Sequence, residues 1–155
     1  MVFAAWGIFV LLFIPTWSYP DFTGRVVSVA DGDTVTVLHH QSRIKVRLVG
    51  IDAPERDQPF GKESKQALET LLLDQDIRVV EGGLDQYRRT LGTLYLDSVD
   101  INALQVSRGM AWVYRKYTTD PCLYALEAAA KKSNKGLWTQ QDAVSPWKWR
   151  HRKTL

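Results

Sequence analysis

The chain has 155 residues, 45% of them hydrophobic and 24% charged, which suits one compact domain with its own core and a short appendage. Its formal net charge is +3, but Lys148, Arg150, Arg152 and Lys153 lie close together at the C-terminus; without those four, 16 basic side chains face 17 acidic ones. The domain is therefore not a polycation, and charge alone does not argue for nucleic acid. Cys122 is the single cysteine; it excludes an intramolecular disulfide, and its neighbours offer no base for a catalytic thiol.

Residues 2–14 are all apolar or glycine, and no charged side chain precedes Asp21. The run is short for a membrane span and suits the hydrophobic region of an export signal. Pro15 ends it, and Thr16 and Ser18 place small side chains before a cut after Ser18. Three readings stand: a cleaved signal over 1–18, an uncleaved N-terminal anchor, and a helix buried in the fold. Under the first two, the working domain, 19–140, acts outside the cytoplasm, secreted or periplasmic. Under an anchor it also touches a membrane. Residues 141–155 form a tail rich in tryptophan and basic side chains, suited to docking on the domain or to contact with phosphate or anionic lipid.

The span 22–38 predicts strand, turn, strand. Val27, Val29, Val35 and Val37 alternate with smaller or polar residues around Asp31-Gly32-Asp33-Thr34. A third strand over 42–49 puts Ile44, Val46 and Leu48 on one face and Arg43, Lys45 and Arg47 on the other, and Pro54 stops it. Helical spacing follows over 63–73. Two more strands, 77–81 and 91–96, flank a polar stretch, 82–89. A short helix over 102–108 closes at Gly109, 110–114 reads as extended, and Pro121 opens a last helix ending at Asn134-Lys135-Gly136. The expected class is α+β: a five-stranded Greek-key barrel of the OB type with three α-helices.

Two acidic motifs carry the chemistry. Asp31-Gly32-Asp33-Thr34 occupies the hairpin turn, and Asp52-Ala53-Pro54-Glu55 follows the third strand. If strands two and three are neighbours, both reach the same end of the barrel. Carboxylates converging there with a backbone carbonyl make an oxygen-only site for a hard cation such as calcium. The spacing is not that of an EF-hand loop. His39 and His40 sit together and His151 lies in the tail, a pattern that disfavours zinc. Arg47 leads into Asp52, and Arg88-Arg89 lie in a polar stretch. Two guanidinium groups, a metal and one remaining carboxylate are what phosphodiester hydrolysis requires. Glu55, beyond a proline-stiffened turn, is the natural general base.

Together, Asp31-Gly32-Asp33-Thr34-Val35, Arg47-Leu48-Val49-Gly50-Ile51-Asp52-Ala53-Pro54-Glu55 and Asp85-Gln86-Tyr87-Arg88-Arg89 resemble the staphylococcal nuclease (thermonuclease) family. Asn102-Ala103-Leu104, Arg108-Gly109-Met110-Ala111 and Lys135-Gly136-Leu137-Trp138 fit the same pattern, so the resemblance spans 22–138. It implies an OB-fold enzyme that cleaves DNA and RNA with calcium, with little sequence preference, and leaves 3′-phosphate ends. Residue by residue, it implies that Asp33 and Asp52 ligate calcium through carboxylates and Ala53 through its carbonyl, with Asp31 as a helper one shell out. Glu55 would activate the water, Arg47 and Arg89 would bind the phosphate, and Tyr87 and Tyr117 would pack on the nucleotide. Two departures stand out: Arg88 replaces a glycine, and Arg115 replaces an aromatic. The competing readings are a non-catalytic nucleic-acid-binding module and a calcium-binding surface protein. The presence of all five groups, Asp33, Arg47, Asp52, Glu55 and Arg89, favours the enzyme. With no coiled-coil or repeat pattern, a monomer is expected.

Overall fold

The structure is a computed structural model that describes residues 20–152; the segment read as an export signal, 1–18, lies outside the described residues. Among these, no helix is long and apolar enough to cross a membrane. Five strands form the barrel: β1 (Asp21–Asp31), β2 (Thr34–His39), β3 (Ser42–Leu48), β5 (Asp76–Leu84) and β6 (Thr90–Leu96). Three two-residue strands, β4 (Ile51–Asp52), β7 (Val99–Asp100) and β8 (Trp112–Val113), supplement it. The order β3-β2-β1-β5-β6 is closed by a parallel pairing of β3 with β6, which sets Arg47 opposite Leu91. This is the closed OB-type barrel expected.

The interior is made of side chains that alternate inward, among them Val26, Val35, Val37, Val46, Val79 and Leu94, all fully buried. Each contributes roughly 1.5–3 kcal/mol relative to an exposed position. The alternation expected in β1 breaks, because Val26 and Val29 are buried whereas Val27 is only half-buried. Bulges between Val26 and Ser28 and between Val29 and Asp31 shift the register and re-aim the strand as it enters the hairpin turn.

Helix α1 (Gly61–Leu72) seals the barrel against β1 with Leu68 and Leu72. Helix α2 (Ile101–Ser107) is capped by Asp100, whose carboxylate accepts from the Ala103 N–H at 2.9 Å, and α3 (Pro121–Lys132) is capped by Asp120. Buried Asn102 stitches the barrel closure, donating to the carbonyls of Val49 and Gly92 and accepting from the Leu94 N–H.

The expected three helices become four. A 3₁₀ turn (Gly136–Thr139) is followed by α4 (Pro146–Arg152), inside the stretch read as a tail. Seven residues are too few for a helix stable by itself; this one stands because it docks. Trp147 stacks on Tyr114, ring centroids 5.3 Å apart and nearly parallel, and meets Trp112 edge-on.

Candidate active site

The hairpin turn is built to present one buried carboxylate. Asp31 accepts from the Asp33 N–H at 3.1 Å, an Asx-type closure. Gly32 is required less for turn conformation than for space, since a Cβ there would lie 1.8 Å from Ser64 Oγ of α1 and 2.8 Å from the Ala53 Cβ. The Gln105 side chain holds the Gly32 carbonyl from the other side. Asp33 is thus fixed by α1, α2 and the β3–β4 corner together. Its Oδ1 accepts from Thr34 Oγ1 and its Oδ2 from the Ala53 N–H.

The second carboxylate arrives by a tight turn at Gly50, whose φ of +78° is open to glycine. That turn brings Asp52 in β4 back beneath Arg47. The Arg47 guanidinium donates through Nη1 to the carbonyls of Leu48 and Ile51, at 2.9 and 3.0 Å. Its Nη2 lies 2.8 Å from Asp52 Oδ1 and 3.1 Å from Asp33 Oδ2. Two carboxylates from separate turns therefore meet on one cationic nitrogen. Burial pushes both carboxyl groups above the usual range, Asp33 to about 8. Arg47 works against the rise at both, Arg150 also at Asp52, while Asp31 and Asp52 add to it at Asp33.

Glu55 is more exposed and lies beside Asp52. Gln58 organises its loop: the Gln58 Oε1 accepts from the Glu55 N–H, and the Gln58 N–H donates to the Glu55 carbonyl. Gln58 Nε2 donates in turn to the Val144 carbonyl, tying this loop to the C-terminal segment. From α4, Arg150 completes the constellation. Its Nη1 lies 2.7 Å from Glu55 Oε1 and 3.3 Å from Asp52 Oδ1, and its Nη2 lies 2.9 Å from Asp52 Oδ2. Gln58 and Arg150 were not among the residues singled out from the sequence. The signal for Arg150 was the Trp147-Lys148-Trp149-Arg150 run, whose aromatic residues dock the helix; nothing local marks Gln58.

Asp31, Asp33, Arg47, Asp52, Ala53 and Glu55 thus come together, with Ala53 entering through its N–H on Asp33. Arg89 stands on a different element. It immediately precedes Thr90, which pairs with Val46 in the parallel ladder, next to the Arg47–Leu91 pair. Its Nε is 2.7 Å from Asp85 Oδ2, and its guanidinium lies 5.5 Å from the Tyr87 ring centre. Burial would raise the Asp85 carboxyl, but hydrogen bonds from the backbone and side chain of Arg89 and the backbone of Tyr87 hold it below the usual range. Arg88 keeps the turn at a φ of +60°, which explains the glycine expected there, and its side chain is exposed. Tyr87 and Tyr117 are exposed at 71% and 61%, Tyr117 meeting the Tyr114 ring edge-on at 4.8 Å. Arg115 is structural: it pairs with buried Glu127 at 2.8 Å and covers the Tyr124 ring.

A groove of about 480 Å³, lined by Phe22, His39, Ile44 and Arg78 among others, shares none of these residues. Its Arg78–Asp21 ion pair is substantially exposed, so the chemistry follows the carboxylates and not the wider concavity. Among the described residues no three His, Cys, Asp or Glu side chains gather as a metal-holding group. A cation at Asp33 and Asp52 would take two carboxylates and a backbone carbonyl, and would need water or substrate oxygens to complete its shell. The donors are all oxygen, and the two carboxylates already converge on a positive charge. That set fits a hard cation.

The family model described as "Staphylococcal nuclease homologue" matches residues 45–140. An uncharacterized endonuclease of Escherichia coli is 42% identical over 146 residues, covering 92% of this chain and 95% of that protein. A micrococcal nuclease of Shigella flexneri is 41% identical over 155 residues, covering 93% and 88%. A probable staphylococcal-like nuclease of Oryza sativa is 37% identical over 129 residues, covering 83% of this chain and 38% of the plant protein.

Proposed function

We propose, from the premise that this chain belongs to the family of staphylococcal nuclease homologues, that it is a calcium-dependent nuclease. It would hydrolyse phosphodiester bonds of DNA and RNA with little sequence preference and leave 3′-phosphate ends. That it is a nuclease of the endonuclease, hydrolase class follows from the family and its close relatives. The finer reading rests on one observation: Asp33 and Asp52, from two separate turns, converge within 3.1 and 2.8 Å of one nitrogen, with Glu55 alongside.

In this reading Asp33, Asp52 and the Ala53 carbonyl hold calcium, and Asp31 braces Asp33 through the turn. The bound ion supplies positive charge that neutralises the phosphate and its developing charge. Glu55 accepts the proton of the attacking water, held in reach by Gln58. Arg47 and Arg89 bind the non-bridging phosphate oxygens; the Arg89 Nε rests on Asp85, and its Nη donors serve the phosphate. Tyr87 and Tyr117 offer faces to bases, a sequence-tolerant contact. The protein acts as a monomer outside the cytoplasm, and the apolar run over 2–14 supports export with a cut near Ser18. N-terminal sequencing of the exported protein checks the last point.

The test of the reaction is digestion of plasmid and single-stranded DNA, and of RNA, with calcium and with chelator. Cleavage that persists in full under chelation would sink the metal assignment. Products that a 3′-phosphatase leaves unchanged would sink the product assignment.

A further inference from the structure

The geometry points to Arg150 as a third phosphate-binding guanidinium of the active site, delivered by the C-terminal helix and not by the barrel; the inference rests on the nuclease reading above. Arg47, assigned to the scissile phosphate, rests here on carboxylates, with Nη2 near Asp33 and Asp52. Arg150 rests in the same way on adjoining groups, 2.9 Å from Asp52 and 2.7 Å from Glu55. The two guanidinium groups share Asp52, Arg47 on Oδ1 and Arg150 chiefly on Oδ2. A group that reaches both the base and a cation ligand also reaches the space between them. The attacked phosphate has to enter that space if Glu55 is to take a proton from the attacking water.

The placement is built, not a stray surface pair. Val144 is held by Gln58, the residue that also fixes the Glu55 N–H, so the base's loop and the helix bearing Arg150 brace each other. Trp147 stacks on Tyr114, and Trp149 Nε1 points to Asp57 at 3.4 Å. The Arg150 side chain is 41% exposed, so an incoming strand can reach it although its fork already rests on Asp52 and Glu55. The ring series Trp147, Tyr114, Tyr117 runs from this helix to the tyrosine assigned to nucleotide packing. With Asp52 given over to a cation, Arg150 exchanges that partner for a phosphate oxygen.

Two measurements on Arg150→Ala and Arg150→Lys test this: calorimetric titration with calcium chloride alone, and kcat/KM for cleavage of a labelled single-stranded oligonucleotide in calcium. The expected signs are opposite. Calcium binds Arg150→Ala roughly tenfold tighter, because a charged hydrogen-bonding competitor has gone. Its kcat/KM falls about 100-fold or more, as for loss of one transition-state donor, and Arg150→Lys lies between. A tie that only secures the helix would weaken both quantities together, and a plug that only blocks the site would raise both; either result overturns the assignment, as does unchanged cleavage. Trp147→Ala, which loosens α4 without touching a carboxylate, is expected to lower kcat/KM in the same direction, and full activity there also counts against it. Wild-type protein that fails to cleave with calcium would sink the function proposed above and this inference with it. Wild-type cleavage matched by Arg150→Ala would sink the inference alone.

Discussion

Arg47 is held from four sides in a buried corner, whereas Arg89 is held by an acid of its own loop. The first donates to two carbonyls and to Asp52, and lies 3.1 Å from Asp33, at 13% exposure; the second pairs through Nε with Asp85 at 27% exposure. Both are guanidinium groups beside the β3–β6 pairing, but their energetics differ. In the corner, Arg47 is the cation that offsets the burial of both Asp33 and Asp52, while the two carboxyl groups oppose each other's ionisation, so structure and chemistry are fused there. In the loop, Arg89 and Asp85 are partly hydrated and close a local turn, a pair expected to contribute little to stability.

The largest effect that sharpens this contrast is expected at Glu55. Glu55→Gln keeps size and the Gln58 contact to its backbone but removes the base, and should lower kcat about 1,000-fold. Calcium affinity measured by calorimetry should change far less. A variant that cleaves at the wild-type rate would take Glu55 out of the mechanism.

Next comes a direct comparison of the two arginines. Arg47→Ala leaves two buried carboxylates without their shared cation, and the calcium-free protein should lose about 3 kcal/mol in urea unfolding. Saturating calcium should return part of that loss, since an ion bound only by the folded state adds to its stability. Arg89→Ala should lower kcat/KM about 100-fold while costing under ~1 kcal/mol. Equal destabilisation by the two substitutions would erase the distinction between corner and loop.

The same distinction marks what could be read from the chain. The barrel was legible because β3 alternates strictly and β2 does so up to Val37, and the corner because its acids sit in two short motifs, Asp31-Gly32-Asp33-Thr34 and Asp52-Ala53-Pro54-Glu55. The bulges that turn Val27 aside were not legible, because a register shift depends on the partner strand. Neither was the part of the site that comes from the far end of the chain. Arg150 meets Glu55 across 95 residues, through a helix that exists only because two tryptophans find Tyr114 and Asp57. The tryptophans of the tail pointed to docking on the domain, but nothing in a span of seven residues says onto which side chains. The glycine missing at Arg88 was visible, but its reason, a left-handed φ, needed the backbone.

A smaller effect follows from Asp33. Burial raises its carboxyl to about 8, so below that pH the calcium-free site holds a proton that a cation must displace. The sign is therefore fixed: calcium affinity rises with pH up to about 8 and levels off above it. Calcium uptake near pH 7 should release close to one proton, detected as a dependence of the calorimetric heat on buffer ionisation enthalpy. The folded state also binds this proton more tightly than the unfolded chain does. Asp33 accordingly favours the calcium-free fold at low pH, and that contribution is lost as pH rises toward about 8. No buffer dependence at pH 7 would mean that the corner holds Asp33 ionised without a cation.

The smallest effect belongs to the loop, and it tests whether the loop is as independent of the fold as the contrast implies. Arg88 sits at a φ of +60°, a conformation that costs a side-chain-bearing residue roughly 1 kcal/mol. Glycine relieves that strain but adds freedom to the unfolded chain, which takes back part of the gain. Arg88→Gly should therefore stabilise the protein by only about 0.5 kcal/mol. The Asp85 carboxylate already ties the N–H groups of Tyr87 and Arg89, so the turn that aims Arg89 should survive, and kcat/KM should stay within about twofold. If activity falls far beyond that while stability rises, Arg88 itself contacts the substrate, and the loop contributes two guanidinium groups where one was assigned.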